Sequence, residues 1–171
     1  LYSCFNLKET IASENSFPLI IQGDGARDFK FTVAGTGETN EFSLSDYYGK
    51  KNVLLAFYPA PFSYSCAYEV NKFDTYAEEQ LLQRIKNSGN DDIELLMVSV
   101  SNSYILSKWK SDMGLDNVKL VNDNDGSISM KYNSFNMLGY NNRTVFLINK
   151  EGKVQYIDWD YNVNNDNDFG I

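Results

Sequence analysis

The run Val53-Leu54-Leu55-Ala56-Phe57-Tyr58 constrains the architecture more than any other stretch. It has strand length and is bounded by Gly49-Lys50-Lys51 on one side and Pro59 on the other. It carries no polar residue at alternate positions, so the strand has no face to turn to water and must be covered on both sides. Ile93 to Val100 reads as a second buried strand. Between the two, Val70, Phe73, Ala77, Leu81 and Ile85 fall at spacings of three and four, the stripe of a helix packed on a sheet, and Asn87-Ser88-Gly89-Asn90 closes it. Ser103 to Met113 repeats the helical pattern with Ile105, Leu106 and Trp109 and is stopped by Gly114. A short strand at Val118-Leu120-Val121, a short helix from Ser127 to Tyr132, and a terminal hairpin complete the series. The hairpin is Val145–Ile148, the turn Asn149-Lys150-Glu151-Gly152, and Val154–Trp159. Strands alternating with helices and ending in a hairpin predict an α/β fold, a central mixed β-sheet flanked by helices.

Upstream, Phe29, Phe31 and Val33 alternate at period two, Gly35-Thr36-Gly37 is a turn, and Glu41–Leu44 can pair back, predicting an N-terminal β-hairpin. Residues 1–22 read as an N-terminal arm, with an amphipathic segment from Phe5 to Ile11 and the apolar run Leu19-Ile20-Ile21. Residues 23–171 read as one domain, the tail Asn162–Asp168 being a solvated loop. The first residue is Leu1, so upstream sequence is missing or the start was engineered; nothing within the chain reads as a signal peptide. The 171 residues suit a single core. A net charge of −8 argues against nucleic acid, and no apolar run approaches the about 20 residues of a membrane span. Two cysteines make no disulfide framework, and a cytoplasmic protein is expected. There is no histidine, which removes Ser-His-Asp and Cys-His hydrolases, His-based zinc proteases and His-ligated haem; with only Cys4 and Cys66, a four-cysteine zinc site is removed too. No cofactor or metal is expected.

In open α/β sheets, sites collect where a strand's C-terminal end meets a helix. That junction here is Tyr58-Pro59-Ala60-Pro61-Phe62-Ser63-Tyr64-Ser65-Cys66-Ala67-Tyr68-Glu69. Cys66 falls in the first helical turn whether Ser63 or Ser65 is the N-cap. Unpaired N–H groups and the helix dipole favour an anion there, so a thiol at that place loses its proton more readily. The competing reading is an inert buried cysteine, among the most buried of residue types.

Pro59-x-x-x-Ser63-x-x-Cys66 resembles the active-site signature of the peroxiredoxins, the AhpC/TSA family, in which Cys is the peroxidatic residue. The likeness runs over residues 20–160. It includes Gly23-Asp24-Gly25-Ala26-Arg27-Asp28-Phe29, with Arg27 where the family usually has Pro, Phe42-Ser43-Leu44-Ser45-Asp46-Tyr47 before Gly49-Lys50, and Arg143-Thr144-Val145-Phe146-Leu147-Ile148 with its hairpin. It implies a thioredoxin-like fold and a thiol-dependent peroxidase that reduces hydrogen peroxide or alkyl hydroperoxides through a Cys66 sulfenic acid. Thiolate attack on a peroxide drives charge onto the leaving oxygen, which calls for aimed donors. Of three arginines, Arg84 lies eighteen residues past Cys66 on the same helix, about 27 Å away. Arg27 sits on the N-terminal strand, which leaves Arg143. Ser63 offers a hydroxyl to the peroxide as well as a cap, Pro59 shields the thiolate, and Glu69 orients Arg143 or serves as a first-turn carboxylate.

A sulfenic acid must be reduced. The family's resolving positions are empty: Val70 and Asn71 stand four and five residues on, 103–113 hold no Cys, and no Cys follows Cys66. The expectation is a one-Cys mechanism of the bacterioferritin-comigratory, one-Cys-like branch, unless Cys4 or chain beyond Ile171 supplies a resolving thiol. The implied partners are a hydroperoxide and an external thiol reductant, either a thioredoxin-like protein or a small thiol; a homodimer is left open. The alternatives are a thioredoxin-like thiol–disulfide oxidoreductase, a redox sensor or holdase without peroxidase turnover, and an inert domain. Three weaker signals are set aside. Asp123-Asn124-Asp125-Gly126 imitates a calcium loop but would need ligands at Val121 and Tyr132. Asn142-Arg143-Thr144 is a sequon overlapping Arg143, and Gly35-x-Gly37 lacks the rest of a phosphate loop.

Overall fold

The computed structural model describes residues 17–35, 40–87 and 93–162. Cys4, the Phe5–Ile11 segment, the tip of the Gly35-Thr36-Gly37 turn, the helix stop at 88–90 and the tail from 163 lie outside the described residues. In chain order the elements are β1 (Lys30–Phe31), β2 (Phe42–Ser43), a 3-10 turn (Leu44–Tyr47), β3 (Asn52–Phe57), α1 (Tyr64–Asn87), β4 (Ile93–Ser99), α2 (Ser103–Met113), β5 (Lys119–Asn122), α3 (Ser127–Lys131), β6 (Thr144–Ile148) and β7 (Val154–Asp158). The main sheet has the order β5-β4-β3-β6-β7. β5, β4 and β3 run parallel, β6 runs antiparallel to β3, and β7 runs antiparallel to β6. This is the mixed sheet that the alternation of elements predicts.

The central run is buried as its composition requires, because the sheet has a packed layer on each side. Val53, Leu55, Phe57, Leu96, Val98 and Phe146 face one core with Phe29, Phe31 and Tyr132. Leu54, Ala56, Tyr58, Leu95, Met97 and Val145 face the other, where Val70 and Phe73 of α1 and Leu106 and Trp109 of α2 cover them. Each of these large apolar side chains contributes about 1.5–3 kcal/mol by leaving water. Ala77 is half-buried in the same layer; the side chains of Leu81, Arg84 and Ile85 lie outside the described ones. Helix α2 starts on Asn102, whose Oδ1 accepts from Ile105 N–H at 2.9 Å, and ends on Gly114 at φ +65°. No described helix is long and apolar enough to cross a membrane.

The N-terminal hairpin is shorter than the sequence suggests. Its strands pair over two residues each, Lys30 with Ser43 and Phe31 with Phe42. Leu44 is not in the strand: the Asp46 carboxylate accepts the Ser43 N–H at 2.7 Å and turns the chain into the 3-10 segment, which buries Leu44 and Tyr47 three residues apart. Val33 makes an isolated antiparallel bridge to Val121 instead of extending β1. Of the expected arm, Ile20 is fully buried in the core beside α3. Its N–H donates to Asn133 Oδ1 at 3.1 Å, and Arg27 Nη2 donates to Pro18 O at 2.6 Å. Arg27 thus clasps this segment.

The topology explains where a site can form. β6 runs antiparallel to β3 with Phe57 opposite Thr144. The residue just before β6, Arg143, therefore emerges beside the end of β3, where the chain leaves the sheet for α1.

Candidate active site

Leaving β3, the chain passes through Pro59 and Pro61 and enters α1 at Tyr64. Ser63 is the cap: its carbonyl accepts from Ala67 N–H at 2.9 Å and its Oγ from Cys66 N–H at 3.3 Å. Cys66 is thus the third residue of the helix, within the turn whose amide groups lack helical partners. The thiol is buried, 1% exposed, and packs among Tyr58, Val70 and Trp109. Pro59 is half-buried at the head of the loop.

Arg143 reaches this turn from the other strand. Nη2 donates to Cys66 Sγ at 3.3 Å and to Ser65 Oγ at 2.9 Å, while Nη1 donates to Glu69 Oε2. Glu69 is one turn beyond Cys66 on the same helical face and has no exposed side-chain surface, against 18% for Arg143. A carboxylate buried to that extent needs a counter-charge, and the planar guanidinium meets the need with one nitrogen while the other faces the sulfur. The structure therefore brings Cys66, Ser63, Glu69 and Arg143 into one constellation at the C-terminal end of β3. Cys66 is the only cysteine among the described residues.

Two side chains enter that the sequence did not single out. Ser65 is a second acceptor for Arg143, although its position suggests only an alternative cap. Tyr58 lies fully buried beneath the thiol. Burial first, and the nearby Cys66 sulfur with it, drive its phenol far above the ordinary tyrosine range against the opposing pull of Ser99, so the group stays protonated. No three His, Cys, Asp or Glu side chains converge as metal ligands among the described residues.

Residues 22–157 match the model of the AhpC/TSA family. The chloroplastic 2-Cys peroxiredoxin BAS1 of Hordeum vulgare is 35% identical over 155 residues, spanning 85% of this chain and 68% of that protein. Peroxiredoxin-2 of Mus musculus is 32% identical over 142 residues, or 79% and 67% of the two chains. Among solved structures, the reduced 2-Cys peroxiredoxin of Plasmodium vivax superposes with a TM-score of 0.68 at 32% identity, over 81% of this chain and 72% of that one. Peroxidoxin BcpB of Mycobacterium tuberculosis has the same score at 23% identity, over 83% and 88%, and at that identity speaks for the fold alone. With the family model matched across most of its length, the chain belongs to the AhpC/TSA family and is a peroxiredoxin, a thiol-dependent peroxidase.

Proposed function

We propose that Cys66 is the peroxidatic cysteine and that the protein works by a one-Cys mechanism with an external thiol as reductant. The Cys66 thiolate attacks one peroxide oxygen. The S–O bond forms as the O–O bond breaks, giving Cys66 sulfenic acid and an alkoxide or hydroxide that takes up a proton. The observation that carries this reading is the Arg143 Nη2–Sγ contact at 3.3 Å, braced through Nη1 by buried Glu69. A fixed N–H donor at the sulfur is also within reach of the oxygen on which charge develops, and it needs no reorganisation when the reaction occurs. The Ser63 hydroxyl, already an acceptor for Cys66 N–H, has a proton to donate to the peroxide. Pro59 presents no N–H and keeps water from the loop.

The one-Cys step is supported by the residues at the nearby resolving positions, Val70 and Asn71 four and five on from Cys66, and by the lack of Cys in α2. Besides Cys66 the chain has only Cys4. A thiol of small-molecule or thioredoxin-like type then attacks the sulfenic sulfur, water leaves, and a second thiol releases Cys66 from the mixed disulfide. Peroxide consumption with added thiol tests the site: Cys66→Ser loses it and Cys4→Ser retains most of it. An intact-mass spectrum after one equivalent of peroxide tests the resolution step. A gain of one oxygen agrees with the reading; loss of two hydrogens, mapped to a Cys4–Cys66 disulfide, overturns the one-Cys step and leaves Cys66 in place.

A further inference from the structure

The loop between β3 and α1 contains a strained residue. Phe62 has φ +62°, and it and Asn133 are the described non-glycine residues with positive φ. For a bulky residue this left-handed conformation is an outlier that persists only where surrounding structure enforces it. Phe62 directly precedes Ser63, so its backbone sets the direction in which the chain enters α1, and hence whether Ser63 Oγ meets the Cys66 N–H. More than half exposed at 56%, Phe62 is not held by burial in the core. Its ring meets that of Trp109, with centroids 6.1 Å apart and an inclination of 45°. Trp109, on α2 and 2% exposed, also packs on Tyr58, with centroids 5.6 Å apart and an angle of 34°. Tyr58 is the first residue of the loop after β3, and Phe62 lies near its far end, one residue before Ser63. One buried indole therefore seats both ends of the active-site loop, although it makes no hydrogen bond to Cys66, Ser63 or Arg143.

We propose that Trp109 is a positioning residue for the peroxidase reaction: by seating Tyr58 and Phe62 it holds Phe62 in its left-handed conformation and so fixes Ser63 and Cys66 for attack. The role rests on the reading of Cys66 as the attacking thiol. The exposed partner allows a test that leaves the core intact. Phe62→Ala keeps a β-carbon at the strained position and removes the ring, whereas Phe62→Tyr keeps the ring. Amide hydrogen exchange is followed at residues 62–67, with β3 as the internal reference, beside the second-order rate with hydrogen peroxide. Phe62→Ala is expected to speed exchange at 62–67 by about three- to tenfold, the weight of one aromatic pair, with β3 unchanged. It is expected to slow the peroxide reaction by a similar factor, and Phe62→Tyr to restore both. Unchanged exchange at 62–67 overturns the seat. Faster exchange with an unchanged peroxide rate overturns its role in positioning. Cys66→Ser is run in parallel: if it still consumes peroxide, the reading of Cys66 fails, while the exchange arm decides the seat independently.

Discussion

Replacing Arg143 by Met separates the contribution of the Arg143–Glu69 pair to the fold from its contribution to chemistry. The Glu69 side chain has no exposed surface; its Oε2 accepts from Arg143 Nη1 and its Oε1 has no hydrogen-bond partner among the described residues. Removing the guanidinium leaves a buried carboxylate without its counter-charge, which costs about 3–5 kcal/mol. Because Arg143 is 18% exposed, water can reach part of the vacated volume, and the lower end, about 3 kcal/mol, applies. At about 2–4 °C per kcal/mol for a chain of this size, the thermal midpoint falls by about 6–12 °C. The same substitution removes the donor at the sulfur, a loss of about 10²–10³ in rate. The double variant Arg143→Met, Glu69→Leu divides the two effects. Replacing both members of a buried pair by apolar residues is often neutral or stabilising, so the midpoint recovers while the rate stays low. Differential scanning calorimetry and the second-order rate constant with hydrogen peroxide are the measurements. A single variant within 2 °C of the parent refutes the buried pair; a rate that recovers with the midpoint in the double variant refutes Arg143 as a donor to the reacting atoms.

Ser63→Ala removes the Cys66 N–H acceptor and lowers stability by about 1 kcal/mol as a lost helix cap, read by urea unfolding; Ser63→Thr keeps the cap and most of the peroxidase rate. Asp74 accepts from Asn117 N–H at 2.8 Å and Val118 N–H at 3.0 Å, tying the entry of β5 to α1. Asp74→Ala leaves those donors unpaired, at about 1–3 kcal/mol, with early exchange of the β5 amides as the local signature. Gly152 has φ +72° and a β-carbon there would lie 2.7 Å from Tyr48 Cε2. Gly152→Ala therefore lowers the thermal midpoint, and pairing it with Tyr48→Ala recovers the part due to the clash and not the part due to strain.

The central strand was legible because its pattern admits one reading: an apolar run with no polar alternation has to lie mid-sheet, and the two opposed cores at Leu54 and Leu55 are its physical consequence. The end of β2 was less so. Phe42 and Leu44 stand at period two, but Leu44 and Tyr47 stand equally well at the three-residue period of a 3-10 turn, and a side-chain contact from Asp46 to the backbone decides between them. Within the site the same division holds. Ser63, Cys66 and Glu69 are three residues apart, so one helical face carries them and local spacing suffices. Arg143 arrives across 77 residues only because β6 pairs antiparallel with β3 in the register Phe57–Thr144. What no spacing encodes is the support beneath. Trp109 at a helical interval looks like any core aromatic, and a phenylalanine carries no mark of a positive φ as a glycine would. Both properties arise when α2 packs on the sheet, which brings the indole under a loop more than forty residues earlier in the chain. Ser63, Cys66 and Glu69 are thus set by short-range sequence, while the arrival of Arg143 and the precision with which the group is held are properties of the tertiary structure, and substitutions at Phe62 probe that precision without altering the residues that react.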